Sequence, residues 1–103
     1  MTEKTLTLLG FASKAGKLNY GFDSTLTAVK QGKAKIVLCA YDLSPKSLKE
    51  ITFFADKNSI LVLTLKEIDI DTLSKAIGRK CGMIAVKETG FAESLKEEIL
   101  NDQ

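Results

Sequence analysis

The stretch from Gly21 to Gly32 places a glycine at each end of a short helical pattern, and lysines surround it in the sequence. A helix entered through a glycine exposes its first backbone N–H groups, which have no partner inside the helix and carry the positive end of the helix dipole. Such N–H groups bind anions. The nearby lysines would add positive charge; they are Lys14, Lys17, Lys30, Lys33 and Lys35. The pattern predicts an anion-binding site.

A second candidate for anion binding is the segment Gly78-Arg79-Lys80-Cys81-Gly82, which contains the only arginine of the chain. Arginine presents a planar fork of donors that suits phosphates and guanine edges. The two glycines would let a ligand come close to the backbone. A surface turn with solvated charges explains the same residues equally well, so both interpretations stay open here.

Charge is unevenly distributed along the chain. The first 35 residues carry six lysines against Glu3 and Asp23, a local net charge of +4, although the whole chain carries only +2. The remaining residues carry nine basic and eleven acidic side chains. A basic region in a nearly neutral chain favours a local patch for a polyanion. Lysines that serve only solubility are the alternative.

The residue types of the chain do not support metal binding, cofactor binding or nucleotide hydrolysis. The chain has no histidine and only two cysteines, Cys39 and Cys81, so we expect neither a metal site nor a cofactor. Cys39 lies in an apolar run and is expected to be a small buried hydrophobe. Gly10 and Lys17 match the spacing of a phosphate-binding loop, but Leu18 stands where a hydroxyl should bind magnesium. We therefore predict no nucleotide hydrolysis and no enzymatic activity.

Length and hydropathy limit the class of protein. With 103 residues, 45% of them hydrophobic and 27% charged, residues 1–103 are expected to form a single globular domain. No apolar run approaches the roughly 20 residues that a membrane span needs. The first residues do not form the core of a signal peptide. The expected location is the cytoplasm, without a membrane partner.

Alternating helical and strand patterns must position the candidate residues. The predicted helices are 3–15, 22–31, 45–57, a helix most evident at 72–77 and one with an apolar stripe from 91 to 99; the predicted strands are 17–20, 36–41, 60–64 and 83–87. Ser44 and Pro45 have the types of an N-cap and a first helical residue. Thr64 and Glu67 have the spacing of a capping box, which predicts the start of the fourth helix there.

This order of elements predicts an α/β fold. Strands separated by helices form a largely parallel or mixed sheet with helices on both faces. The runs 36–41 and 60–64 are continuously apolar, which predicts buried strands. Ligands of such folds gather at loop ends and helix N-termini. The candidate residues lie in segments of that kind.

Three segments together resemble the kink-turn RNA-binding ribosomal protein family, the family of the archaeal large-subunit protein called L-seven-Ae. They are Gly21 to Gly32, Lys35 to Pro45 and Leu73 to Val86, and the register from Gly21 to Pro45 has no gaps. The motifs Leu8-Leu9-Gly10-Phe11-Ala12 and Gly90-Phe91-Ala92 resemble the bacterial YlxQ-type branch. The resemblance covers nearly the whole chain, and it rests on the common order and spacing of the motifs.

The resemblance implies a three-layer α-β-α sandwich with a four-stranded mixed sheet and about five helices. It also implies a non-enzymatic, ribosome-associated protein in which the start of helix 21–32 and the loop 78–82 together bind a sharply bent RNA. Contacts with ribosomal proteins are compatible with it. Structured RNA suits this interpretation, because proteins recognise bulged and distorted RNA rather than regular A-form helices.

Some family residues are replaced in this chain. Asp23, Ser24 and Thr27 stand where archaeal members carry Asn, Glu and Lys, and Arg79-Lys80-Cys81 replaces an Ile-Glu-Val-like triplet. We expect less apolar packing on an extruded base and more phosphate attraction. The predicted RNA-binding residues are Gly21, Asp23, Ser24, Thr27, Lys17, Lys30, Lys33, Lys35, Arg79, Lys80 and Cys81. The replacements also motivate an alternative, a protein-interaction module that kept the fold and lost RNA binding.

Overall fold

The computed structural model describes residues 2–101, in which helices and strands alternate throughout. The helices are α1 (Thr2–Lys14), α2 (Gly21–Lys30), α3 (Pro45–Lys57), α4 (Ile70–Ile77) and α5 (Thr89–Asn101). The strands are β1 (Leu18–Tyr20), β2 (Ile36–Ala40), β3 (Leu61–Leu65) and β4 (Met83–Val86). The predicted order of elements is confirmed.

The four strands form one mixed sheet in the order β1-β4-β2-β3. β2 and β3 are parallel, whereas β4 runs antiparallel to both β1 and β2. Helices α1, α4 and α5 pack on one face around Leu9, Leu73 and Leu95. Helices α2 and α3 pack on the other face around Val29 and Ile51. The expected three-layer α-β-α sandwich with a mixed sheet is therefore confirmed.

Strand β2 lies between helices on both faces, which explains its continuous apolar sequence. Successive side chains of a strand point to opposite faces, and Leu38 and Cys39 accordingly belong to the two different cores. Cys39 is fully buried, and this burial raises the pKa of its thiol to about 12. It is a packing residue, as predicted.

The predicted start of the fourth helix is wrong. Thr64 lies in β3, which continues to Leu65. Leu65 pairs with Ala40 of β2. The N-cap of α4 is Asp69, whose Oδ1 accepts a hydrogen bond of 2.8 Å from the backbone N–H of Thr72. Pairing with the neighbouring strand thus overrides the local capping pattern at Thr64.

The predicted burial of the third strand is also wrong. Leu61 is 42% exposed and Thr64 is exposed, while Leu65 is the buried end of β3. β3 is an edge strand with one neighbour in the sheet, so its apolar sequence is covered only in part. An apolar run predicts a strand here, but the position of that strand in the sheet decides its exposure.

The segment that resembles a phosphate-binding loop is helical. Gly10 lies inside α1, which continues to Lys14, and no strand precedes it in the described chain. The segment therefore lacks the strand–loop–helix arrangement that such a loop requires. Among the helices of residues 2–101, none combines the length and apolar character needed to cross a membrane.

Candidate nucleic-acid interface

Helix α2 begins directly after β1. Tyr20 occupies the N-cap in an extended conformation, and its side chain does not cap the helix. Gly21 follows with a φ of +84°, which side chains rarely adopt, although nothing lies within 4 Å of where its Cβ would stand. The backbone turn therefore requires glycine. The side chain of Tyr20 thus accepts no hydrogen bond from the first N–H groups of α2.

The loop 78–82 meets this helix start because β4 pairs with β1. The guanidinium of Arg79 lies over the ring of Tyr20, with its central carbon 4.7 Å from the ring centre. Burial raises the pKa of the Cys81 thiol, and hydrogen bonds from the backbone N–H groups of Met83 and Gly21 oppose that rise. The two candidate segments, distant in sequence, thus form one continuous surface, which we call the helix-start region: Tyr20, Gly21 and loop 78–82.

Hydrogen bonds of two serine hydroxyl groups fix the positions of loop 78–82 and Tyr20. The Ser74 hydroxyl accepts a hydrogen bond of 3.1 Å from the N–H of Cys81 and donates one of 2.6 Å to the carbonyl of Ile70. The Ser13 hydroxyl donates to the carbonyl of Ile77 at 2.7 Å and lies 2.7 Å from the Tyr20 hydroxyl. These bonds fix both the loop and the ring on which Arg79 rests.

Arg79 is consequently positioned in advance for a ligand. A cation over an aromatic ring is attracted to the ring electrons, which restricts the side chain while leaving it exposed. An exposed guanidinium can hold a phosphate with two parallel hydrogen bonds, or stack on an unpaired base. Lys80, also exposed, adds a second positive charge to the loop.

An open groove runs along one side of α2. Its lining residues are Asn19, Asp23, Ser24, Thr27, Ala28, Gln31, Lys33 and Lys87. The Asn19 side-chain amide donates a hydrogen bond of 3.0 Å to the Ser24 hydroxyl oxygen, which leaves the Ser24 O–H free to donate. Asp23 is exposed and can only accept while ionised. The groove therefore offers a donor and an acceptor side by side.

Two lysines lie at the far end of the groove, and Lys17 is adjacent to one of them; we call Lys17, Lys33 and Lys87 the lysine end. Lys33 and Lys87 line the groove directly. The backbone N–H of Lys87 donates to the carbonyl of Lys17 at 2.9 Å, which places these two residues beside each other. A ten-residue helix such as α2 is about 15 Å long, so roughly this distance separates the lysine end from Gly21.

The structure does not bring Lys30 and Lys35 into the groove. The Lys30 ammonium lies 4.7 Å from the ring centre of Phe54 on α3, on another side of α2. Lys35 lines a separate hollow with Leu61 of β3 and Lys96 of α5. Of the predicted residues, the structure thus groups Gly21, Arg79, Lys80 and Cys81 in one region, Asp23, Ser24 and Thr27 along the groove, and Lys17 and Lys33 at its end. Their roles in RNA binding remain predictions.

Sequence reasoning missed two residues of this surface, Asn19 and Lys87. Both line the groove; Asn19 lies in β1, and Lys87 directly follows β4, with which β1 pairs. Knowledge of the strand order would have placed both beside the predicted residues. Within residues 2–101, no three histidine, cysteine or acidic side chains cluster as metal ligands.

The fold and this surface define a class: a small α-β-α sandwich with a basic groove along a helix that begins at a glycine. The chain belongs to the ribosomal protein L7Ae/L30e/S12e/Gadd45 family, whose profile matches residues 3–96. The family resemblance inferred from the sequence motifs is therefore confirmed, including its YlxQ-type branch.

Individual relatives agree with this assignment. The RNA-binding protein YlxQ of Enterococcus faecium is 32% identical over 98 residues, which cover 94% of this chain and 92% of that relative. The large ribosomal subunit protein eL30 of Neurospora crassa is 27% identical over 92 residues, or 87% and 84% of the two chains. A solved structure of a Bacillus halodurans protein of unknown function shares 29% identity at a TM-score of 0.88, covering 93% of this chain and 96% of that one.

Proposed function

We propose that this protein is a non-enzymatic, ribosome-associated RNA-binding protein of the cytoplasm that recognises a bent or kinked structured RNA. The observation that carries the proposal is the contact of Arg79 with Tyr20, which joins loop 78–82 to the start of α2. The RNA-binding name of one relative and the ribosomal name of another support the choice of RNA and of the ribosome. Other proteins of the ribosome are further expected partners.

Each group of residues in this surface has its own proposed role in RNA binding. Gly21 lets RNA approach the first N–H groups of α2, and Arg79 with Lys80 binds phosphates or stacks on a base. Asp23, Ser24 and Thr27 form hydrogen bonds with base edges or ribose hydroxyls in the groove. The lysine end attracts the phosphates of the RNA strand that leaves the groove. Phosphate contacts position an RNA, whereas contacts with bases and ribose give specificity.

A titration of labelled kink-turn RNA at two salt concentrations tests this proposal. We expect binding at low salt that weakens as salt rises, because each phosphate contact releases counterions. A straight duplex of the same base composition serves as the control and should bind more weakly. Absence of binding at low salt, or equal binding of the straight duplex, would contradict recognition of a bend.

A protein-interaction module is the second candidate function. The observation that favours it is the exposed carboxylate of Asp23 in the groove, since a carboxylate repels phosphate. Capture of partners from a cell extract with and without nuclease distinguishes the two candidates. Ribosomal proteins that are lost after nuclease treatment support RNA binding, whereas partners that survive it support the module.

A further inference from the structure

Helix α3 exposes an aromatic and basic surface that the proposed function does not use. Phe53 is 55% exposed, and its ring packs edge-on against Phe54 at a centre-to-centre distance of 5.2 Å. The Lys57 ammonium lies 4.6 Å from the Phe53 ring centre, and Lys30 of α2 lies 4.7 Å from that of Phe54. Two rings and two lysines therefore form one row across α2 and α3. We call this row the aromatic ladder.

The helical pattern shows that Phe53 has no place in the core. The buried residues of α3 are Ile51 and Ala55, and Phe53 lies on the opposite side of the helix. The other exposed side chains of that face are Lys46, Lys49, Glu50, Asp56 and Lys57. Phe53 therefore adds little to the core, and its ring is accessible to a ligand.

The chemistry of the ladder fits single-stranded RNA. Proteins that bind single strands combine lysines along the backbone with aromatic rings on which bases stack. With Lys30, the face carries four lysines against two carboxylates, which leaves it positive. The exposed Phe53 ring, beside the half-buried Phe54 ring and the lysines, offers both contacts at once, whereas an acidic partner surface would leave the Phe53 ring without a stacking partner.

The ladder is also continuous with the candidate interface. Lys30 is the last residue of α2, and Gln31 and Lys33 just beyond it line the groove on the other side of that helix. An RNA strand that leaves the groove at the lysine end therefore needs only to pass the C-terminal end of α2 to reach Phe54 and Phe53. We infer that the aromatic ladder binds a single-stranded extension of the RNA that the groove holds.

This inference rests on the proposed function, and the experiment separates the two. The probes are a blunt-ended kink-turn RNA, the same RNA with a single-stranded extension of about eight uridines, within the range of known site sizes, and the uridine strand alone. We expect the extension to tighten binding to the unaltered protein by at least about fivefold, the lower limit for stacking one base on an aromatic ring.

The Phe53→Ala variant should lose this gain and bind the blunt RNA as the unaltered protein does. Phe11→Ala is the matched control, because Phe11 is 57% exposed on α1, on the other face of the sheet. It should keep the gain. Lys57→Gln should lower the salt slope for the extended RNA by about 0.7, the value for one contact with a single strand.

Each outcome decides one of the two proposals. If the extension adds nothing, or if Phe53→Ala retains its effect, the ladder inference is overturned while binding of the blunt RNA still supports the proposed function. If the blunt RNA does not bind but the uridine strand binds and Phe53→Ala abolishes that binding, the ladder stands and recognition of the bend fails. Photo-crosslinking from thiouridine in the extension should mark residues of α3; marks confined to other elements would overturn the inference.

Discussion

The two ends of α2 offer anions different physical environments. At the helix-start region, the backbone N–H groups of the first turn of α2 and an arginine held over Tyr20 form a small, rigid surface. At the lysine end, three long side chains supply charge with few fixed directions. Rigid donors select a shape, whereas mobile charges attract any phosphate strand. The comparison teaches that basic composition predicts attraction to RNA, while specificity requires groups whose positions other elements fix.

The largest effect is expected from the helix-start region. The double variant Arg79→Ala plus Lys80→Ala should weaken binding of kink-turn RNA about 10- to 100-fold, because each change removes a hydrogen bond to a charged group. The salt slope should fall by about two units. Fluorescence anisotropy at two salt concentrations measures both quantities. Lys4→Ala plus Lys66→Ala, outside both regions, is the control. An equal loss in the control would remove the distinction between the two ends.

The glycines that flank α2 provide a matched pair. Gly21 and Gly32 have φ values of +84° and +71°, and neither has an atom within 4 Å of its Cβ position. Alanine at either position should lower the free energy of unfolding by about 1–2 kcal/mol, because a residue with a side chain is strained in the left-handed conformation. Urea unfolding measures this cost for each variant.

The two alanine variants should differ in RNA binding. We expect Gly21→Ala to weaken it several-fold beyond what its stability explains, because the new methyl group would lie between the RNA and the first N–H groups of α2. Gly32→Ala should bind nearly as the unaltered protein does. Equal binding by both variants at a temperature where both are folded would show that RNA does not approach Gly21.

The lysine end should contribute less than the helix-start region and depend more on salt. Lys33→Ala plus Lys87→Ala is expected to weaken binding about three- to tenfold at low salt, and the difference should shrink as salt screens the charges. The same loss should appear with the straight duplex, since these side chains follow the phosphates. A loss confined to the kinked RNA would mean that this end also discriminates shape.

Ser24 allows a smaller test of hydrogen bonding in the groove. Ser24→Ala should weaken binding about two- to fivefold with little change in the salt slope, because one neutral hydrogen bond is lost. Ser94→Ala, an exposed serine on α5, is the control. An unchanged affinity in Ser24→Ala would place the hydroxyl outside the contact.

The smallest effect concerns two carboxylates at the starts of helices α4 and α5. Hydrogen bonds from the side chain and backbone of Thr72 lower the pKa of Asp69, which caps α4. Hydrogen bonds from the N–H groups of Phe91 and Gly90, together with the charge of Lys17, lower the pKa of Glu88 at the start of α5. Both groups therefore stabilise the fold above their ordinary pKa values of about 4, and this contribution disappears as pH falls through the lowered values.

Unfolding in urea across pH 7 to 2 tests these caps. Asp69→Asn and Glu88→Gln should each reduce the loss of stability on acidification, relative to the unaltered protein. Glu97→Gln, at an exposed position on α5, should leave the pH dependence unchanged. If only Asp69→Asn changes the profile, Glu88 contributes no measurable pH-dependent stability.

Local patterns in the sequence were sufficient to predict much of the fold. Ser44 and Pro45 predicted the start of α3, where the Ser44 hydroxyl accepts from the backbone N–H of Ser47. The glycines at 21 and 32 predicted the limits of α2 within a residue or two. These signals are reliable because capping and backbone conformation depend on a few adjacent residues. The Thr64 pattern failed because pairing with β2 took that residue into a strand.

The amino-acid sequence by itself determined the order of the elements and the family, because both rest on spacing along the chain. Tertiary structure alone decided which candidates meet. The insertion of β4 between β1 and β2 brings Arg79 to Tyr20, and the direction of α2 carries the lysine end about 15 Å from Gly21. Strand order depends on contacts between residues far apart in sequence, so no local pattern could show that the predicted site consists of two regions.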